Sequence, residues 1–284
     1  MTEPRYPFVR VDVAAELAEE ASAELFELGA LGVEERDGTT LQKGVEGKVT
    51  LVASFPDHEA ARGAIEALDP GWTPALEEII GDGWRDAWKE HFHPFPLTPR
   101  LTVRPPWEPY TAQRPGEQVL ELEPGRAFGT GLHATTSLVA RTLDRESARL
   151  AGARVLDVGT GSGILAVAAL ALGASFVVAT DNDPEVIGVV EENAARNGMS
   201  ERIAASTAEL GQLTERFPVV VANIEARVLI PMAPELADRV APGGLLVLSG
   251  ILAGQEQDVL AAYPGLQQER IEREGDWMCL VLRG

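Results

Sequence analysis

The segment VLDVGTGSGILAVAA, residues 155–169, sets an acid, Asp157, directly before three glycines at alternate positions, Gly159, Gly161 and Gly163. A short apolar run leads into the acid. A helical apolar stretch, Ile164 to Leu172, follows the glycines and stops at Gly173. A second apolar run, Phe176 to Ala179, leads to another acid, Asp181. The order is strand, glycine turn, helix, strand, acid. Backbone without Cβ lets a ligand lie close against such a turn, and the helix start offers free N–H groups. An acid at the end of the second strand is placed to take a ribose diol. The pattern points to a ribose-bearing cofactor.

Dinucleotide enzymes place a glycine-rich turn at the same point, and an ordinary βαβ turn without a ligand has the same outline. Three details separate these readings. The spacing is G-x-G-x-G and lacks the third glycine of the dinucleotide fingerprint. Asp157 would repel a pyrophosphate but not the ammonium and sulfonium of S-adenosylmethionine. The unit also begins more than halfway along the chain, whereas dinucleotide turns often open their domain. S-adenosylmethionine is the expected cofactor, and a nucleotide-dependent oxidoreductase is the rival from another class.

Other residues can join this chemistry. The segment EPGRAFGTGLHATT, residues 123–136, is punctuated by Gly125, Gly129 and Gly131. It can lie over a cofactor and offer backbone N–H groups to its carboxylate, or be a tight surface loop. Thr135 or Thr136 can cap the helix that follows. Asn223 ends the apolar run PVVVAN, where ligands bind in open α/β sheets. Its amide can orient an amine, or cap a helix starting near Glu225. His133 is a candidate proton acceptor, with backbone hydrogen bonding as the alternative. No spacing suits a metal, and no G-x-S-x-G elbow is present.

The elements that must position these residues divide the chain. Residues 1–80 read as β-α-β-β-α-β, the order of a ferredoxin-like unit, with an inward helical face at Leu17, Ala21, Leu25 and Leu28 and Asp57 as cap of the second helix. Residues 81–93 read as a linker helix carrying Trp84 and Trp88. The prolines from Pro94 to Pro115 predict extended structure and an interdomain connector. Residues 94–284 form an α/β domain, a doubly wound, mostly parallel seven-stranded sheet whose reversed strand lies in the terminal pair near 268–273 and 277–282. Asp183, Pro184 and Gly198 mark one of its helices.

Composition sets the outer limits. The chain has 284 residues, which suits two domains or one large one, and 45% of them are hydrophobic, enough to bury a proper core. The formal net charge of −20 argues against a nucleic-acid surface and permits a basic protein partner. A single cysteine, Cys279, the absence of an apolar leader in MTEPRYPFVR and the lack of any run of membrane-spanning length predict a cytoplasmic protein. A monomer is expected.

The blocks EPGRAFGTGLHATT, VLDVGTGSGILAVAA, DNDPEVIGVVEENAARNG, VVVANIEARVLIPMAPEL and APGGLLVLSGIL, with WRDAWKEHFHPFPLTPRLTVRPPW before them, resemble the ribosomal protein L11 methyltransferase family (PrmA), of the class I S-adenosylmethionine-dependent methyltransferases. The resemblance runs from Trp84 to Leu252, and residues 1–80 match in pattern only. It implies an N-terminal substrate-recognition domain, a mobile linker and a methyltransferase domain. It implies methyl transfer to lysine ε-amino groups and the N-terminal α-amino group of a large-subunit ribosomal protein. A related lysine methyltransferase acting on another basic protein is the nearest alternative. Cofactor contacts carried across by motif fall on Thr136, Gly159, Asp181 and Asn223, with Phe128, Gly129, Thr130 and Gly131 around the methionine end. Asp157, Gly161 and Gly163 complete the expected set. Asn182 stands where the family usually has an aliphatic residue, which is expected to alter the adenine pocket.

Overall fold

The computed structural model describes residues 5–14, 17–36, 48–80, 92–123 and 131–284. Chain contacts divide it into two compact units, Met1–Phe92 and His93–Gly284. The linker residues Trp84 and Trp88, and Phe128, Gly129 and Thr130 of the glycine loop, lie outside the described residues.

In the first unit β1 (Arg5–Val13), α1 (Ala18–Glu27), β2 (Gly32–Arg36), β3 (Val49–Ser54), α2 (His58–Ala67) and β4 (Ala75–Ile80) follow one another. The sheet order is β2-β3-β1-β4, and every pair is antiparallel. Val9, Val11 and Val13 alternate inward along β1 and bury against Ala21 and Leu25 of α1 and Ala61 and Ala64 of α2. Asp57 caps α2, its Oδ1 accepting the Ala60 N–H at 2.9 Å. Leu17, expected on the inward face of α1, instead stands at its N-cap and is 36% exposed.

The second unit opens with a small sheet of β5 (Phe95–Pro96), β6 (Leu101–Arg104) and β7 (Gln118–Glu121). The extended structure expected here is present as strands, but the segment is part of the second unit and not a connector between units. Leu97, Leu101, Val103, Leu120 and Leu122 belong to the same core as Leu138, Leu143 and Leu165. Between β6 and β7, a buried Glu117 carboxylate accepts the backbone N–H groups of Gln113 at 2.7 Å and Arg114 at 2.8 Å, the Arg114 guanidinium at 2.7 Å and the Tyr110 hydroxyl at 3.0 Å. The Thr102 hydroxyl donates to it as well. These donors, Arg114 first, hold its pKa well below the usual carboxylate range. Proline restricted the backbone, but the leucines and valines between the prolines decided where the segment packs.

The remaining strands are β8 (Arg154–Val158), β9 (Phe176–Thr180), β10 (Ile203–Ser206), β11 (Phe217–Asn223), β12 (Val240–Leu252), β13 (Gln267–Glu274) and β14 (Trp277–Arg283). They form a seven-stranded sheet in the order β10-β9-β8-β11-β12-β14-β13. The first five are parallel, and β14 runs antiparallel to both neighbours. The central strands are apolar on both faces because both faces are covered. Val155, Val219 and Val221 enter one core, and Leu156, Val220 and Leu246 the other. Three helices shape the first face. They are α3 (Ala134–Arg145), α4 (Ile164–Ala171), whose residues Ile164 to Leu170 are all buried, and α5 (Pro184–Arg196). Asp183 caps α5, its Oδ1 accepting the Glu185 N–H at 2.9 Å, and Gly198 adopts φ 66° beyond the helix end. Short helices α6 (Ala226–Leu229) and α7 (Ala233–Arg239) pack on the second face through Leu229 and Leu236. Among the described residues no helix is long and apolar enough to cross a membrane.

Candidate active site

The carboxyl ends of β8, β9 and β11 open onto a cavity of about 550 Å³, which the segment after β10 also borders. This is the crevice where strand order reverses in an open α/β sheet. Gly159 forms its floor at the end of β8, with φ 67°, and a Cβ there would stand 2.8 Å from the Ile224 side chain. Gly250, at φ 81°, approaches the same residue from β12, and a Cβ there would meet the Ile224 carbonyl oxygen at 2.5 Å. Ile224 is thus gripped between two positions that only glycine fills without strain.

Asp181 lines the cavity at the end of β9. Its Oδ2 accepts the Gly161 N–H at 2.9 Å and its Oδ1 the Asp183 N–H at 3.1 Å. The two bonds fix the carboxylate, and each oxygen keeps lone-pair capacity for a diol. Asn182 lines the wall beside it. Thr207, Ala208, Glu209 and Leu210 continue that wall, residues that sequence reasoning missed. Their only signal was position, directly after a strand of the parallel set.

Asp157 does not line the cavity; it is buried in β8, directly before the lining residues Val158 and Gly159. Its carboxylate is 1% exposed, and Oδ2 accepts the Thr160 hydroxyl at 2.7 Å. Oδ1 has no hydrogen-bond partner among the described residues. Burial pushes this acid up to about 6; the Asp181 charge adds to the shift, while the Thr160 hydroxyl and the Ala166 N–H oppose it. Asp181, Glu209 and Glu235 border the cavity, and neither lysine nor arginine is among the described residues that do. A pyrophosphate would enter this negative field at a cost, whereas a nucleoside with a cationic tail would gain. The donor set therefore fits S-adenosylmethionine and disfavours a dinucleotide.

A second cavity of about 440 Å³ is lined by His133, Thr135, Asn223, Ile224, Glu225, Gly250 and Trp277. Asn223 and Ile224 border both cavities. The Asn223 side chain caps no helix: α6 takes Glu225 as its N-cap, without a side-chain bond. Asn223 Nδ2 instead donates to Thr136 Oγ1 over 3.5 Å, leaving its Oδ1 as an acceptor.

Thr136 is buried in the first turn of α3, beneath Asn223, and lines neither cavity. Gly161 and Gly163 lie behind the first cavity, one donating to Asp181 and the other capping α4. Gly131 abuts Ile164 and Phe95. The cap of α3 is His133, not Thr135 or Thr136. With φ −74° and ψ 139° it swings its ring over the first turn, and Nδ1 accepts the Thr135 N–H at 3.4 Å. The ring meets Trp277 edge-on at 4.8 Å. His133 Nδ1 also lies 2.8 Å from the Thr135 hydroxyl, and its ring lines the second cavity. Trp277 escaped sequence reasoning because only the pairing of β14 with β12, Trp277 opposite Leu252, brings it here.

The family described as Ribosomal protein L11 methyltransferase (PrmA) matches residues 5–284. A "Ribosomal protein L11 methyltransferase" of Sorangium cellulosum (strain So ce56) is 61% identical over 268 residues, covering 93% of this chain and 84% of the relative. One of the same name from Geobacter sp. (strain M21) is 45% identical over 221 residues, 75% of this chain and 72% of that one. The crystal structure of ribosomal protein L11 methylase from Lactobacillus delbrueckii subsp. bulgaricus superposes with a TM-score of 0.62 at 36% identity, covering 67% of this chain and 98% of that one.

Proposed function

Because the chain belongs to the ribosomal protein L11 methyltransferase family (PrmA), we propose that it transfers methyl groups from S-adenosylmethionine to ribosomal protein L11, at lysine ε-amino groups and the N-terminal α-amino group. The observation that carries this reading is the junction of two cavities at Asn223 and Ile224. One cavity has the chemistry for a cationic nucleoside, and the other has an aromatic and amide lining suited to an amine on an aliphatic stem.

S-adenosylmethionine supplies an electrophilic methyl group on a sulfonium. Asp181 takes the ribose hydroxyls, and Asn182 with the wall at 207–210 borders the base. Gly159 lets the cofactor lie against the turn that Gly161 and Gly163 complete, and the family resemblance assigns Phe128, Gly129, Thr130 and Gly131 to its methionine end. Asp157 adds negative potential behind the turn.

On the acceptor side, a lysine amine has a reference pKa of roughly 10.4, so the site must favour its neutral form. Loss of water in the second cavity does so. Asn223 Oδ1 accepts an N–H of the neutral amine and aims its lone pair. Alignment then supplies most of the acceleration, and no strong base is required. Residues 1–80 recognise the protein substrate, residues 81–93 link them to the transferase, and the net charge of −20 suits a basic partner met in the cytoplasm.

The test is site-resolved mass spectrometry of purified L11 after incubation with the protein and S-adenosylmethionine. Methyl increments on lysines and the N-terminus are expected. Methylation confined to other residue types, or absent from L11, overturns the reading.

A further inference from the structure

The second cavity carries one charged group whose part the transfer itself leaves open. Glu225 is the only carboxylate among its described lining residues. It stands two positions beyond Asn223, at the exposed edge of the cavity, with its side chain 64% accessible. A carboxylate pressed against the reacting nitrogen would stabilise the ammonium and hinder loss of its proton. At the solvent edge the same charge is screened from the chemistry, yet it faces every cation that enters.

Its present partner is Arg227, whose Nε donates to Glu225 Oε2. That guanidinium is 81% accessible. Exposed ion pairs contribute little and open readily. A guanidinium resting there is a cation in the position that an incoming ammonium would occupy. We propose that Glu225 is a specificity-determining residue that captures the substrate's lysine ammonium at the mouth of the acceptor cavity, with Arg227 as the internal cation displaced on capture. The assignment rests on the amine-methyltransferase reading above. It makes the preference for a cationic side chain a property of this rim, separate from the orientation of the neutral amine at Asn223.

The two partners should act in opposite directions, which a merely structural ion pair would not. Glu225→Gln should raise KM for L11 by about fivefold at low salt, with most of the effect in KM rather than kcat. Arg227→Gln should lower KM, because the competing cation is gone. Both differences should shrink as salt screens the rim. A competitor peptide with norleucine in place of lysine should inhibit the wild-type protein and Glu225→Gln equally. Unchanged KM in both variants, or a rise of equal size in both, overturns the assignment while leaving the functional reading intact. Absence of L11 methylation by the wild-type protein overturns the functional reading, and this assignment with it.

Discussion

Asp157 sits where a carboxylate is costly, and replacing it with asparagine should expose that cost as a pH-dependent gain in stability. The folded protein raises this acid from 3.8 to about 6, chiefly by burial. The folded state therefore holds the proton more tightly than the unfolded chain. Below about pH 3 both states are protonated and there is no penalty. As pH rises from about 4 to 6 the unfolded chain ionises first, and stability falls. Above that window the loss is complete, at about 3 kcal/mol for a shift of this size. Asp157→Asn cannot ionise, although its amide N–H₂ has no acceptor in place of Oδ1 and carries a fixed cost of its own. The change of the variant-minus-wild-type difference with pH is free of that fixed cost and of the groups that titrate alike in both proteins. That difference should rise by about 3 kcal/mol between pH 3 and pH 8, roughly 6–12 °C in melting temperature for a unit of this size. Urea unfolding of both proteins across that range, without cofactor, reads the difference directly. Parallel pH profiles would refute the argument. The same variant should bind S-adenosylmethionine more weakly at pH 8, because the negative charge that costs stability favours a cationic ligand.

Asp181→Ala should weaken S-adenosylmethionine binding by about 1.5–3 kcal/mol per lost hydrogen bond to the ribose, and calorimetry on the folded variant showing unchanged affinity would remove Asp181 from the site. Trp277→Ala should raise KM for L11 and leave cofactor affinity nearly intact, since Trp277 borders only the acceptor cavity of the two described here; an equal loss of both affinities in equilibrium binding would count against two separable cavities. A chain beginning at His93, where the second unit starts, should still bind S-adenosylmethionine but lose methylation of L11. Full L11 turnover by that chain would show that the first unit is not the recognition element.

Much of the α/β unit was legible because its signals are local. The apolar run, glycine turn and acid from Val155 to Asp181 dictate a strand-turn-helix-strand path, and Asp183-Pro184 with Gly198 brackets a helix by capping chemistry alone. The β-α-β-β-α-β order of the first unit could be read from short alternating runs. Residues near the chain's own strand ends, Gly159, Asp181 and Asn223, could be named from the rule that ligands sit beyond those ends. What escaped was set by tertiary register. Trp277 reaches the acceptor cavity through an antiparallel edge pairing, and Glu225 through a short helix whose direction no periodicity encodes. In the proline-rich segment the extended backbone was legible but its packing was not: proline marks where helix is forbidden, not whether the intervening leucines find a core. His133 took the cap position ahead of Thr135 because its backbone, not the usual side-chain preference, sets the ring over the first turn.

The proposed transfer turns on Asn223, which borders both cavities. Its most direct test is the single-turnover rate of methyl transfer to L11 by Asn223→Ala, with cofactor affinity measured on the same sample. The account predicts a fall of about a hundredfold in transfer, the scale expected when a reacting group loses its alignment, in a protein that still binds S-adenosylmethionine. Transfer at the wild-type rate by a variant with normal cofactor binding would contradict it.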